Sequence, residues 1–562
     1  MSDRIGTSLF VWASPLAAVL FAAAPFAAAQ SNAFSEFANR APSRADLDLV
    51  RAHVRFLADD HLEGRAPGTH GGDIAARYLA SQLEVLGVNP GGTDGTYFQR
   101  VPLLGIQTDY SKSTAEIVNT DPSAPGTLPL TFLDDFVIGN ESQAEHVDVK
   151  AGIVFVGYGI QAPEQQWDDW KGVDVKGKVV LMLVNDPPSE DPKVFGGKGL
   201  TYYGRWTYKY EEATRRGAAA AILIHRDDMA GYGWNVVRTS FARERPYVDA
   251  RKDTGHRLPI VGWMSEAKAK QLVELAGKKL EDMMAEATKK EFQPVALPLE
   301  LKASLASTLR PLDTANVLGV IPGSKRPEEC VIYSAHYDHL GKDEALIRDG
   351  KDGIYNGAVD NATGCAALLW MAREFVAMPD RPERSIVFLF TTAEEGGLRG
   401  SQYYAEHPTF PLGSIAANIN LDALVVVGEP EQFEPLGYDR STLRRPVELT
   451  AREFSVELLA DTNPGVGSFY RSDHFPFAKA GVPAVNIKAG QKMRGEDLAT
   501  SQKRSGEYGK LRYHQPSDEY DSSWDFFGLV KTARFAGRIG LRVANDPEMP
   551  RYNAGDEFAK PR

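Results

Sequence analysis

Val331-Ile332-Tyr333-Ser334-Ala335-His336-Tyr337-Asp338 is an apolar run that stops on two residues able to bind a cation or move a proton. A continuous apolar stretch of this length, without alternation, reads as a strand buried on both faces, the kind found in parallel sheets covered by helices. Similar runs recur downstream, so strands are predicted at 331–335, 385–391, 417–421 and 484–487, with a helix at 362–376 joining the first two. Strands alternating with amphipathic helices give an α/β fold: a mixed, mostly parallel sheet flanked by helices. Open sheets bind ligands beyond the carboxyl ends of their strands. The residues after each run are therefore the candidates: His336 and Asp338 after the first, Glu394 and Glu395 after the second, Asp422 after the third. His336 and Asp338 lie two apart, on one face of extended chain, so Asp338 is expected to accept the second N–H of the imidazole, fixing its tautomer. Two adjacent carboxylates can face different tasks.

Two more motifs complete the series, Val359-Asp360-Asn361-Ala362-Thr363-Gly364 and Tyr513-His514-Gln515-Pro516-Ser517-Asp518. Taken in order, over about 46–108 and 312–535, the motifs resemble the M28 family of co-catalytic zinc peptidases, which includes aminopeptidases and glutamate carboxypeptidases. The resemblance implies two Zn2+, one held by His336 and Asp422, the other by Glu395 and His514, with Asp360 bridging them. Each metal then keeps a position for water, as catalytic zinc does. With Glu395 committed to metal, Glu394 is left as the general base. The resemblance further implies a cis bond between Asp360 and Asn361, and places Tyr470 near the site, either as a donor to the tetrahedral intermediate or as a tyrosine packed beside the cleft. Asp473 and His474 are expected to brace that loop, and His339 to line the cleft entrance without touching zinc. The implied activity is hydrolysis of N-terminal residues from peptides. Alternatives on the same fold are a carboxypeptidase or dipeptidase, with Arg205, Arg399 and Arg471 as candidates for a substrate carboxylate, a one-zinc glutaminyl cyclase, and a receptor-like protein that has lost its ligands. All five ligand types and the glutamate stand against the last.

The rest of the chain bounds these readings. At 562 residues it exceeds one hydrophobic core. Its 43% hydrophobic and 25% charged residues are those of a globular protein. A net charge of −12, from 63 basic and 75 acidic side chains, argues against a nucleic-acid partner. Arg4, an apolar stretch from 9 to 26 and Ala27-Ala28-Ala29 read as a cleaved signal peptide over 1–29, which implies a periplasmic or extracellular protein without a retained membrane anchor. Cys330 and Cys365, the two cysteines, form either one disulfide or two buried thiols. Oligomeric state leaves no trace in the sequence.

Residues 47–88 read as two helices joined by the Gly64-Arg65-Ala66-Pro67-Gly68 turn. Between 110 and 304 the texture changes to short apolar runs punctuated by Gly, Pro and Asp, a mainly β module with helices at 208–216 and 265–289. Phe155-Val156-Gly157-Tyr158-Gly159-Ile160 and Asp174-Val175-Lys176-Gly177-Lys178-Val179-Val180 resemble a protease-associated (PA) domain. The expected organisation is a discontinuous peptidase domain, 30–109 and 305–562, interrupted by this insertion at 110–304. Within it, Gly199-Leu200-Thr201-Tyr202-Tyr203-Gly204-Arg205-Trp206 is placed nearest the substrate, unless its aromatics pack inside the module.

Overall fold

The computed structural model describes residues 41–560, so the signal-peptide reading at 1–29 lies outside the described residues. The first helix, α1 (Arg44–Leu57), begins with a capping box in which Ser43 and Asp46 exchange side-chain and backbone hydrogen bonds. Asp46 also accepts from the Trp370 indole at 3.1 Å and pairs with Arg373, tying α1 to the helix behind the central sheet. Burial pushes the Asp46 carboxyl up, but the hydrogen bonds from Trp370 and Ser43 and the Arg373 guanidinium bring it down from 3.8 to about 2. A carboxyl depressed in the folded state stabilises the fold above its unfolded pKa, and that contribution is lost as pH falls through the folded value. Asp46→Asn is therefore expected to cost on the order of 2 kcal/mol at pH 7 and much less near pH 2. Urea denaturation at the two pH values checks this, and an equal cost at both would mean that the charge contributes nothing.

A turn of 3-10 helix, Asp60–Arg65, separates α1 from α2 (His70–Val85), as the two-helix reading expects. After a short pairing of Asn89–Pro90 with Gly319 and Val320, the chain runs along the main sheet as β1 (Phe98–Thr108). The 110–304 segment builds a second sheet in which β2 (His146–Phe155), β3 (Val179–Leu183), β4 (Ala220–His225) and β5 (Ile260–Ser265) lie side by side and parallel. Helix α3 (Trp206–Arg215) lies where the 208–216 helix is predicted. The helix expected at 265–289 is in fact two, Glu266–Leu275 and Leu280–Ala287. Gly277, at φ +70°, ends the first with its N–H on the Glu274 carbonyl, a left-handed cap that stops a helix. One strand of the segment, Arg245–Val248, pairs with β1 rather than with the second sheet.

The two sheets share a strand. In β6 (Val295–Ile321), residues up to Ala306 pair with β2, residues from Ser307 to Val317 pair with β1, and residues from Val317 onward pair with a strand of the central core. The 304/305 boundary thus falls inside continuous backbone rather than in a linker. The core consists of β7 (Arg326–His336), β8 (Arg384–Thr391), β9 (Ile415–Asn420) and β10 (Ala484–Ala489), parallel in the order β8-β7-β9-β10. The α/β reading and all four core strands stand where the apolar runs put them. Alternate side chains of β7 enter opposite cores: Val331, Tyr333 and Ala335 on one face, Cys330 and Ile332 on the other. Both faces are covered, which is why the sequence shows no polar alternation there. Helix α4 (Thr363–Val376) crosses from β7 to β8, α5 (Leu498–Leu511) precedes His514, and α6 (Phe527–Asn545) packs against α4. Cys330 and Cys365 are buried and unpaired. Among the described residues no helix is long and apolar enough to cross a membrane.

Candidate active site

Strand order assembles the site. β7 lies between β8 and β9, so its last residue meets the segments that leave the ends of both neighbours. Register pairs Ser334 with Asn420, which brings His336 and Asp422, each two residues further on, level and on the same face; His336 is itself paired with Thr391, three residues before Glu394. Asp360 arrives on the segment between β7 and α4, through a peptide bond to Asn361 that is cis, as the resemblance implies.

Asp360 turns its two oxygens toward two different imidazoles. Oδ1 lies 3.1 Å from His336 Nε2 and Oδ2 lies 3.3 Å from His514 Nε2. His336 Nε2 is also 3.3 Å from Asp422 Oδ1, and His514 Nε2 is 3.1 Å from Glu395 Oε2. Nitrogen and oxygen donors placed tetrahedrally about zinc at about 2.0–2.1 Å would stand about 3.3 Å apart. The five side chains therefore have the spacing of two cation sites sharing one carboxylate. Charge tells the same story. Burial disfavours a charged imidazole, yet Glu394, Asp422 and Asp360 raise His336 well above 6.5, while Glu395 and Asp360 bring His514 up to about 10. Burial would also raise Glu395, but His514 and His339 pull it down to about 2. So many carboxylates enclosed together demand positive charge, which divalent cations supply in full.

Glu394 differs from its neighbour. Burial, reinforced by Glu395, Asp422 and Asp473, raises its carboxyl well above 4.5 despite His336. A carboxylate with elevated proton affinity beside the candidate metal ligands is suited to accepting a proton. Glu394 also lies within reach of His336 and Asp422, their donor atoms all within 4.8 Å of one another.

Several supports were not read from the sequence as such. The His336 imidazole donates not to the Asp338 carboxylate, 3.8 Å away, but faces the Asp338 main-chain carbonyl at 3.2 Å. The Asp338 carboxylate instead accepts the backbone N–H groups of Glu394 at 3.0 Å and Glu395 at 3.4 Å, so it orients the glutamate pair rather than the histidine. Two converging backbone donors from the end of β8 are stronger competitors for it than one ring N–H at poor distance. Asp518, in the motif after His514, takes the N–H groups of Val359 and Asp360 at 3.1–3.2 Å. Ser472 donates to Asp422 Oδ2 at 2.6 Å. The fully buried Arg65 guanidinium binds the main-chain carbonyls of Leu57, Tyr337, Asn356 and Gly357, clamping the His336 and Asp360 segments together.

Tyr470 is not brought to the ligands in this way. Its hydroxyl donates to Glu557 at 3.1 Å and faces Arg440, and its ring lies against Tyr202 and Phe475. The packed-tyrosine alternative describes it, because a buried phenol takes the nearest carboxylate. Tyr513 is better placed: its ring, about half exposed, stacks on His514 with centroids 3.8 Å apart. Tyr202 packs on both sides: within its own module its ring meets Tyr208 at 5.3 Å and its hydroxyl donates to Glu211, and beyond it the ring meets Tyr470, Phe475 and Phe558, while Leu200 N donates to Pro464 O at 2.9 Å. Asp473 accepts from Thr391 and braces the loop as expected.

Residues 316–534 match the sequence pattern of peptidase family M28. The chain is similar to Aminopeptidase NAALADL1 of Mus musculus, 34% identical over 281 residues, which cover 45% of this chain and 34% of that protein. It is also similar to Carboxypeptidase Q of Rattus norvegicus, 32% identical over 134 residues, 24% of each. The chain thus spans well under two thirds of these relatives. Among solved structures, the aminopeptidase from Aneurinibacillus sp. strain AM-1 aligns over 92% of this chain and 97% of its own at 17% identity, with a TM-score of 0.49. The segment that matches peptidase family M28, residues 316–534, carries His336, Asp360, Glu394, Glu395, Asp422 and His514.

Proposed function

We propose that this protein is an exported exopeptidase with two zinc ions, an aminopeptidase that removes N-terminal residues from peptides in the periplasm or outside the cell. The observation that carries the reading is Asp360, whose two oxygens each face a different imidazole at 3.1–3.3 Å. When bound, a zinc pair supplies Lewis-acid polarisation of the scissile carbonyl and a water acidic enough to give up its proton near neutral pH. The chain's own groups do the rest. Glu394 accepts the water's proton on its carboxylate and delivers it to the leaving amine. Asp338 holds the Glu394–Glu395 backbone in place, and Ser472 and Asp518 fix Asp422 and Asp360. Tyr513, stacked on His514, is the hydroxyl offered to the developing oxyanion. The excess of carboxylates suits a substrate ammonium. The 110–304 segment, as a PA-like module, overhangs the cleft and limits entry to chain ends.

A second reading, a carboxypeptidase of the same fold, is favoured by one observation. Arg205 has a buried Nε without a hydrogen-bond partner, and burial together with the nearby charge of Arg471 brings its pKa down to about 10. Two cations without a carboxylate between them would welcome that of a substrate. Peptides with a free amine, a blocked amine or an amidated C-terminus separate the two. Blocking the amine is expected to abolish cleavage and amidation to leave it unchanged; the opposite pattern makes the protein a carboxypeptidase.

A further inference from the structure

We propose that His339 is an additional ligand of the metal held by Asp360 and Glu395, standing beside His514; the inference rests on the two-zinc reading above. His339 follows His336 by three residues, at the end of β7, and its side chain is fully buried. Its Nδ1 lies 2.7 Å from Glu395 Oε1, the oxygen that Glu395 turns away from His514. At that distance a hydrogen bond would be expected, yet neither Glu395 Oε1 nor either ring nitrogen of His339 is aligned to make one. Buried polar atoms left so are rare in native proteins. The donor atoms of His339, Asp360 and Glu395 all fall within 4.8 Å of one another, close enough to share one cation.

The backbone makes room for this ring. Gly357 adopts φ +59°, and a Cβ there would stand 2.6 Å from Cγ of His339 and 2.2 Å from the Asp360 carbonyl, so only glycine admits the imidazole against the Asp360 segment. His514 is held differently. Its side chain is 33% exposed, and it comes after α5, from which Leu498 and Leu511 project into solvent. His339 thus belongs to an inner set with Asp360 and Glu395, whereas His514 closes the same metal from a more open segment, its ring edge-on to His339 at 5.7 Å. Two imidazoles on one metal make it tolerant of losing either.

Zinc per chain and the affinity of each ion, read by chelator competition on the full chain, test this in wild type, His514→Ala, His339→Phe and the double variant. Wild type is expected to hold two ions. Each single variant should keep the second ion with affinity lowered by about 10–100-fold, and the double variant should hold one. His514→Ala dropping to one ion, or His339→Phe binding the second ion as tightly as wild type, overturns the proposal. A wild type with fewer than two ions sinks the two-zinc reading itself. Thermal melts of the metal-free proteins control for folding, with His339→Gln in place of the phenylalanine variant if that one does not fold.

Discussion

Glu394→Ala is expected to keep both zinc ions and to lose about 10²–10⁴-fold in kcat, the contribution of a general base. The assignment rests on a difference between neighbours. Glu395 is drawn down to about 2 by His514 and His339, in spite of its burial, and so behaves as a committed anion. Glu394, equally enclosed, is raised well above 4.5 by burial and by Glu395, Asp422 and Asp473. The rate should fall as pH drops and Glu394 takes up a proton, because the base must be unprotonated to act. Elemental analysis beside kcat discriminates between roles. Glu394 shares a cluster with His336 and Asp422, so a variant that lost its first zinc along with turnover would show a ligand there instead.

Asp360→Asn is expected to weaken both proposed metals together, since its two oxygens face the two imidazoles. Removing one partner from a buried charged pair costs about 3–5 kcal/mol, which corresponds to roughly 10²–10⁴-fold in affinity. Neither His336→Ala nor His514→Ala should disturb the two sites equally. Zinc raises the melting temperature of a protein that binds it only when folded, so zinc addition to the metal-free protein should raise that temperature in wild type far more than in the variant. An Asp360→Asn protein that still titrates with two tight ions would remove Asp360 from the bridging position.

The strands and the candidate ligands were legible for a local reason. A strand buried on both faces must be written as unbroken apolar sequence, as 331–335 and 385–391 are, and a residue at its carboxyl end is at the site by construction. Hence His336, Glu394, Glu395 and Asp422 could be picked out from their place after a run, whereas Asp360 and His514 needed the motif series. The supports were less legible. Asp338 sits two residues from His336 in sequence, yet its carboxylate turns to the backbone of Glu394 and Glu395 across the sheet. Arg65 precedes the Tyr337, Asn356 and Gly357 carbonyls it binds by more than 270 residues. Tyr470 shares its loop with Ser472, but only Ser472 reaches a ligand, because Glu557, near the other end of the chain, claims the phenol.

Apolar periodicity alone determined that this chain builds a parallel core with chemistry-bearing residues at the strand ends, because burial on two faces and burial on one leave different patterns in the sequence. Which of those residues point at each other was decided only by tertiary structure. Strand order set β7 between β8 and β9, and the partners of Asp338, His339 and Tyr470 were chosen by groups that are distant along the chain and near in space. A hydrogen bond or a metal site is a competition among all donors and acceptors within a few ångströms, and the sequence does not say who the competitors are.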